Sequence, residues 1–279
     1  MWRHHRLWLK VLVLVVLFST GCSKFRKIQK NPDWRIRYDA AVKYYERGEK
    51  GDYLKAAVLF EELLPLIRGT KEAEKAQFYF AYAQFQQRLY IQSAYHFKSF
   101  YETYSRSDFA QESMYMHAYS LFLDSPVQEL DQTSSVEAIQ AMQNFLNKYP
   151  TSEYREQANS TIDELQKKLE LKAYENAKLY NQLQQYNSAV IAFENFYKDF
   201  PDSKLNEEIY YLQIQAQHNY AKASIFARQK ERYKKTVDYY LAFLERYSES
   251  KYLKEAQKYY SNSLDFLEEI GGEQNLGLK

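Results

Sequence analysis

The most regular feature of the chain is a pattern of apolar positions that occurs four times. Each copy starts with an aromatic residue or Met, has Phe three positions later and Tyr or Phe seven positions later, and ends in a short Ser-containing turn and an apolar residue. Residues three and four apart share one face of a helix, so each copy predicts an apolar stripe along the end of a helix, followed by a tight turn. The four copies cover residues 97–109, 142–154, 193–205 and 240–252.

The third copy shows how each turn is expected to work. Phe193 and Phe196 belong to the stripe, and Pro201 is expected to end the helix. Ser203 is expected to cap the amino terminus of the next helix, and Glu207 lies where it can interact favourably with the dipole of that helix. Each copy is therefore interpreted as a helix end, a turn and a helix start.

A second helix is predicted upstream of each stripe, and the two together resemble the tetratricopeptide repeat. Small residues stand where two helices would cross closely, and large residues stand beside them. The residues that carry the resemblance are Ala177, Tyr180, Tyr186, Ala189, Phe193 and Pro201, with similar sets at Tyr90, Ser93, Phe97 and Ser105, at Tyr53, Ala56 and Phe60, and at Tyr233, Thr236 and Tyr240. The pattern predicts about five helical hairpins.

The boundaries of these elements follow from the same pattern. Hairpins are predicted at residues 34–68, 71–104, 108–149, 153–200 and 204–247, and a capping helix at 251–270. Residues 125–134 are interpreted as a polar insertion, and residues 153–183 as one long helical stretch. The expected domains are a linker at 22–33, amino-terminal hairpins at 34–104, middle hairpins at 105–200, a carboxy-terminal hairpin with the capping helix at 201–270, and a polar tail at 271–279.

Composition supports an all-α fold class. The chain has only 7 Gly and 5 Pro in 279 residues, far below the usual shares of roughly 7% and 5%, which leaves too few turn formers for an all-β domain. We therefore predict a superhelical solenoid of about five tetratricopeptide-like hairpins plus a carboxy-terminal capping helix. A solenoid can exceed the usual domain size because each repeat packs only on its neighbours.

The first 21 residues are predicted to be a removable export signal. Three basic residues precede an apolar run at 11–18 that is too short to span a bilayer. Ser-Thr-Gly-Cys at 19–22 resembles a lipobox, although Ser19 stands where Leu is usual, and this resemblance implies that Cys22 carries diacylglycerol and an acyl chain. Cys22 is the only cysteine in the chain. A soluble secreted form, cut by the ordinary route, is the alternative.

The charge balance argues against nucleic-acid binding, and the lack of catalytic motifs argues against enzyme activity. Without the signal, the chain has 35 basic and 36 acidic residues, so there is no electrostatic footprint for nucleic acid. The mature histidines, His96, His117 and His218, lie on different predicted helices with no second ligand at metal-binding spacing. No phosphate loop or nucleophile elbow is present. We expect no enzyme activity, no metal and no cofactor apart from the covalent lipid.

Aromatic residues are unusually frequent, and most of them are expected to pack between helices. In tetratricopeptide arrays the first helix of each hairpin lines a concave face, and by this resemblance some aromatic residues would point into a groove. For any one of them, packing in the core is an equally good interpretation. The peptide-groove candidates are Tyr38, Tyr45, Phe78, Tyr82 and Phe85, and the partner-docking candidates are Tyr174, Lys178 and Asn181.

The lipobox, the long repeat periods and the turn motif together resemble the BamD family, the lipoproteins of the outer-membrane β-barrel assembly machinery. The resemblance covers nearly the whole mature chain. It implies a location on the periplasmic face of the outer membrane, docking on the POTRA region of a BamA-like barrel protein, and contact with other assembly lipoproteins. It also implies that the amino-terminal hairpins receive unfolded outer-membrane proteins.

Two other classes of protein stay open at this point. One is a different tetratricopeptide lipoprotein, such as a pilus-assembly pilotin or a coordinator of cell division and peptidoglycan synthesis. Pilotins keep a period near 34 residues and the coordinators add a coiled coil, whereas the periods here, counted from Phe100 through Phe145, Phe196 and Phe243, are 45, 51 and 47. The other is a lytic transglycosylase, which needs a globular catalytic domain for which no repeat-free stretch is long enough.

Overall fold

The structure is a computed structural model that describes residues 24–275. The predicted signal and Cys22 lie outside the described residues. Within the described range the chain forms α-helices and no β-strands. The helices are α1 (24–29), α2 (Trp34–Arg47), α3 (Asp52–Leu63), α4 (Glu72–Gln86), α5 (Tyr90–Thr103), α6 (Ala110–Asp124), α7 (Thr133–Lys148), α8 (Arg155–Gln182), α9 (Tyr186–Asp199), α10 (Asn206–Lys222), α11 (Phe226–Arg246) and α12 (Leu253–Asn275).

Consecutive helices pack against each other along the chain. α2 packs on α3, α4 on α5, α6 on α7 and α10 on α11, while the carboxy-terminal part of α8 packs on α9 and α12 packs on α11. The predicted all-α fold of tetratricopeptide-like hairpins followed by a carboxy-terminal helix is therefore confirmed. The carboxy-terminal helix is longer than predicted, because α12 continues to Asn275 and so enters the predicted tail at 271–279.

The chain divides into two compact units, Met1–Leu165 and Gln166–Lys279. We call them unit 1 and unit 2 and describe each by itself. The boundary falls inside α8, which the sequence predicted as one long stretch and which is a helix of 28 residues. It therefore lies within the segment 105–200 that the sequence groups as middle hairpins.

The repeated stripe builds the cores of both units. In unit 1 the stripes of α5 and α7 share one cluster with residues of α4 and α6. In unit 2 the stripe of α9 packs against Ala177 of α8 and Ile209 of α10. The first two positions of every stripe are buried, namely Phe97, Phe100, Met142, Phe145, Phe193, Phe196, Tyr240 and Phe243.

The predicted polar insertion is a short loop between α6 and α7. The side-chain amide of the buried Gln132 donates hydrogen bonds to the backbone oxygens of Val127 and Leu130, at 2.8 and 3.1 Å. Ser125 and Ser135 are joined by a hydroxyl hydrogen bond of 2.7 Å, which closes the base of the loop. Across residues 24–275, no helix offers the long apolar run that crossing a bilayer would need.

Candidate interaction surfaces

Each turn that follows a stripe is tied to the first helix of its own hairpin by the same hydrogen bond. The hydroxyl of the turn Ser donates to a Glu carboxylate in three hairpins, and in the fourth it accepts from a Gln side-chain amide. The pairs are Ser107 with Glu74, Ser152 with Gln111, Ser203 with Glu170, and Ser250 with Glu207. Four bonds at equivalent places show that the repeat extends to the polar residues as well as to the stripe.

The turn Ser does not act as the predicted helix cap. α10 begins at Asn206, and the Ser203 hydroxyl accepts a hydrogen bond from the backbone N–H of Leu205, two residues further on, at 3.0 Å. This is a local turn that precedes the helix. The expectation that Ser203 caps the helix is therefore wrong, whereas Glu207 lies in the first turn of α10 as predicted.

These turn bonds give a direct prediction for stability. Replacing Ser203 by Ala removes the bond to Glu170 and the bond to the Leu205 N–H, and a hydrogen bond to a charged group contributes about 1.5–3 kcal/mol. We expect the free energy of unfolding, measured by chemical denaturation, to fall by about that amount. The exposed Ser261 of α12 is the matched control, and an equal loss in Ser261→Ala would contradict the assignment.

The apolar residue that ends each turn packs on a residue of the first helix. That helix residue lies four positions after the Glu or Gln that bonds the turn Ser. Phe109 stacks on Phe78 with ring centroids 4.4 Å apart. Tyr154 stacks on Tyr115 at 4.4 Å, and Tyr252 stacks on Tyr211 at 4.8 Å. In the remaining copy the equivalent pair, Leu205 and Tyr174, belongs to one apolar cluster.

This packing corrects one of the predicted groove residues. Phe78 is only 4% exposed and contacts the rings of Phe97, Phe100 and Phe109. It is therefore a core residue, which contradicts its expected place in a groove. A first helix packs both on its own hairpin and on the next one, so an aromatic residue at this position can face either side.

The other groove candidates lie half-buried on the first helices of unit 1. Tyr45 of α2 stacks on Tyr79 of α4 with centroids 4.0 Å apart. The pKa of Tyr38 is raised mainly by burial, and the nearby positive charge of Lys75 opposes this rise. Lys75 also contacts Glu46 at 3.5 Å and lies 4.9 Å from the Tyr79 ring. The first helices of successive hairpins thus touch through aromatic and charged side chains.

The same face of unit 1 continues from α4 to α6. The Tyr82 hydroxyl donates a hydrogen bond to the Glu112 carboxylate. Burial, with this bond next, raises the pKa of Tyr82 well above its usual value. Phe85 lies 5.6 Å from the ring of Tyr90 and 6.1 Å from that of Tyr119. We call Tyr38, Tyr45, Tyr79, Tyr82, Phe85 and Glu112 the aromatic face of unit 1.

Two of the three docking candidates, Tyr174 and Lys178, form a polar cluster with Glu208 on the first helices of unit 2. The Tyr174 hydroxyl donates to Glu208 at 3.0 Å and accepts from Lys178 at 2.8 Å. Lys178 also lies 3.7 Å from Glu208, and its hydrogen bond with Tyr174 raises the pKa of its ammonium group. Tyr174 is itself mostly buried. The result is a three-residue polar cluster that joins α8 to α10.

Asn181 starts a second polar connection across unit 2. Its side-chain N–H donates to Gln215 of α10 at 3.0 Å, and the amide of Gln215 donates to the Tyr259 hydroxyl of α12 at 3.0 Å. The buried side-chain oxygen of Asn181 has no hydrogen-bond partner within the described part of the chain. We call Tyr174, Lys178, Asn181, Glu208, Gln215 and Tyr259 the polar face of unit 2.

Sequence reasoning missed several members of these two faces. Glu112 and Glu208 each stand one position after the Gln or Glu that bonds a turn Ser, Gln111 and Glu207. Because they occupy equivalent positions in two hairpins, an alignment of the first helices with each other would have indicated them. The stripe used for the prediction lies on the second helices and carries no such signal.

His117 and His218 each contact a neighbouring helix of their own unit. His117 contacts the backbone oxygen of Ala94 through Nδ1 at 2.9 Å. His218 Nδ1 contacts the Ser263 hydroxyl at 3.1 Å, and its ring lies 5.4 Å from Tyr233 and 5.2 Å from Tyr259. Among the residues that the structure describes, no group of three or more His, Cys, Asp or Glu is arranged to hold a metal ion.

The burial of His218 predicts that unit 2 loses stability in acid. Burial, with the nearby Lys222 next, lowers the pKa of this imidazole below the ordinary histidine value of about 6.5. The folded state disfavours the charged form of the imidazole. Neutral His218 therefore makes its full contribution to the free energy of unfolding above about pH 6.5, and this contribution is lost as the pH falls through the lower, folded-state pKa. The free energy of unfolding would be measured by chemical denaturation above about pH 6.5 and below the folded-state pKa. It should depend less on pH in His218→Gln than in the unsubstituted protein. An unchanged pH dependence would contradict the role of His218.

The fold and the repeated turn bonds define a helical-repeat protein of the tetratricopeptide type. The model of the YfiO family, described as outer membrane lipoprotein, matches residues 37–220, which is more than half of the chain. The chain therefore belongs to the YfiO family of outer membrane lipoproteins. It is also 25% identical over 210 residues to a protein named putative outer membrane protein assembly factor BamD from Aquifex aeolicus (strain VF5), covering 74% of this chain and 67% of that one. The resemblance to the BamD family is thereby confirmed.

Proposed function

We propose that this chain is a lipid-anchored scaffold of the outer-membrane β-barrel assembly machinery and has no catalytic role. The observation that carries the proposal is the family match over residues 37–220, which includes the aromatic face of unit 1 and all of the polar face of unit 2 except Tyr259. The name of the Aquifex aeolicus relative, an assembly factor, supports it. The expected anchor is the acylated Cys22, which would hold the chain on the periplasmic face of the outer membrane.

The aromatic face of unit 1 is the proposed site for unfolded outer-membrane proteins. Strands of such proteins end in aromatic residues, which Tyr45, Tyr82 and Phe85 could contact by apolar burial at about 25 cal/mol per Å². Their side chains are half-buried and fixed by neighbouring rings, so little conformational entropy is lost on binding. The available area is small, so binding should be weak and reversible.

The polar face of unit 2 is the proposed docking surface for the POTRA region of a BamA-like barrel protein, close to other assembly lipoproteins. The side chains of Lys178 and Glu208 are 28% and 30% exposed. They can therefore offer charges of both signs to a partner. Paired charges give specificity and orientation more than raw affinity.

A crosslinking experiment tests the substrate surface. A photoreactive peptide that copies the last strand of an outer-membrane barrel should label residues within 34–104 of the purified lipoprotein. Phe85→Ala should reduce this labelling, whereas Ile36→Ala, which removes an exposed apolar side chain of α2, should leave it unchanged. Equal labelling by a peptide of scrambled sequence would contradict the proposed substrate surface.

A further inference from the structure

Two adjacent apolar side chains project from the beginning of α11. Ile225 is 73% exposed and Phe226 is 65% exposed. Of the large exposed apolar side chains in residues 24–275, Ile225 has the highest exposure. A single exposed apolar residue is ordinary, but two consecutive ones at the corner of a hairpin suggest contact with something other than water.

The residues around this pair are rich in positive charge. The segment 222–235 contains six basic residues and one acidic residue. Outside this segment the chain that starts at Cys22 has 29 basic and 35 acidic residues. The acidic residue, Glu231, lies 3.6 Å from Arg228. A strongly basic segment in an otherwise acidic chain is an electrostatic feature in its own right.

The apolar and basic side chains share one side of α11. Phe226, Lys230 and Lys234 are spaced four residues apart, which places them on one helix face, and all three are exposed. Phe226 contacts Phe266 of α12 only at the edge, with ring centroids 6.5 Å apart. The helix therefore presents an aromatic ring followed by two ammonium groups.

The loop before α11 holds this arrangement in place. The Arg232 guanidinium donates to the Ser224 hydroxyl and lies 3.8 Å from the centroid of the Tyr220 ring. The Gln229 amide donates to the backbone oxygen of Ser224 at 3.0 Å. Arg232 therefore fixes the conformation of the loop. Ile225 and Phe226 are exposed at a corner that these hydrogen bonds hold in one conformation.

We propose that residues 222–235 form a second membrane contact, which binds the anionic headgroups of a lipid surface. An amphipathic segment with Lys and Arg on its polar side and large apolar residues beside them is the usual composition of an interfacial membrane contact. Ile225 and Phe226 enter the boundary between headgroups and acyl chains, and the exposed lysines of the segment bind the phosphates. The segment follows directly after residues 37–220, which the family model matches. The proposal relies on the proposed lipid anchor only for its location, because tethering turns a weak contact into an intramolecular one.

A fluorescence experiment on the full acylated chain tests this contact. Ala227 is exposed and next to the apolar pair, and Ala227→Cys gives a thiol that can be labelled with an environment-sensitive dye, because acylation occupies Cys22. In vesicles of phosphatidylethanolamine and phosphatidylglycerol the dye should report an apolar environment and should be quenched by lipids with quenchers near the headgroup. Ala242→Cys, on the same helix about 22 Å away, should report water.

Charge variants separate this proposal from its alternatives. Lys230→Glu combined with Lys234→Glu should lower the membrane-inserted population roughly tenfold or more. The same change at Lys254 and Lys258, an exposed pair with identical spacing on α12, should have little effect. The signal should also weaken in vesicles of phosphatidylcholine alone and at high salt.

Three outcomes would overturn the proposal. One is an equal dye signal in anionic and neutral vesicles, and another is a signal that appears only after an acidic protein or a nucleic acid is added. The third is a water-like signal in every vesicle. None of them would affect the proposed role in barrel assembly, which is judged by the partners that copurify with the chain.

Discussion

Replacing Phe193 by Ala should lower the free energy of unfolding of the protein by about 3–5 kcal/mol. The side chain is fully buried and belongs to the cluster that joins α8, α9 and α10. Its removal costs the transfer free energy of the ring and leaves a cavity that the surrounding helices can fill only in part. Since whole domains have about 5–15 kcal/mol of stability, this single change should remove a large fraction of the stability of unit 2.

Ile191 provides the matched control for this prediction. It lies two residues earlier on the same helix but is 52% exposed, so Ile191→Ala should change stability by less than about 1 kcal/mol. Chemical denaturation followed by circular dichroism compares the two variants. A similar loss in both, or no loss in Phe193→Ala, would contradict the assignment of the repeated stripe to the core.

Replacing Cys22 by Ala should abolish the incorporation of labelled palmitate and remove the chain from the outer membrane. The three acyl chains expected on this residue would exceed the two anchoring signals that stable attachment requires. Ser23→Ala, which leaves the thiol in place, is the control and should still incorporate palmitate. Equal labelling of the Cys22→Ala chain would show that the lipobox interpretation is wrong.

The hairpins could be predicted because their second helices carry a strict signal. The stripe that includes Phe193 and Phe196 faces only one core, so the spacing of three and four residues is enough to place a helix, its buried face and its end. The same argument placed α5, α7 and α11. α8 could be predicted as one long helix because its sequence contains no Gly or Pro, although nothing in the sequence marked the unit boundary at Leu165.

The first helices were harder to interpret because each one packs on two sides. Phe78 and Tyr82 are four residues apart and look equivalent, yet Phe78 is buried beneath the following turn while Tyr82 bonds Glu112 of the next hairpin. Ile225 and Phe226 were missed for a related reason. Apolar residues at the start of a helix usually indicate a core contact, and only the exposure of these two distinguishes them.

The identity of the partners tests the central claim most directly. The lipoprotein would be purified with its partners from membranes of its own organism by an affinity tag, and the chains that accompany it would be identified by mass spectrometry. If the chain is a scaffold of barrel assembly, a β-barrel protein with POTRA domains should be recovered in near-equal amount, and Lys178→Glu should reduce that amount. Recovery of pilus-assembly or cell-wall proteins without any POTRA-containing barrel would contradict the proposed function.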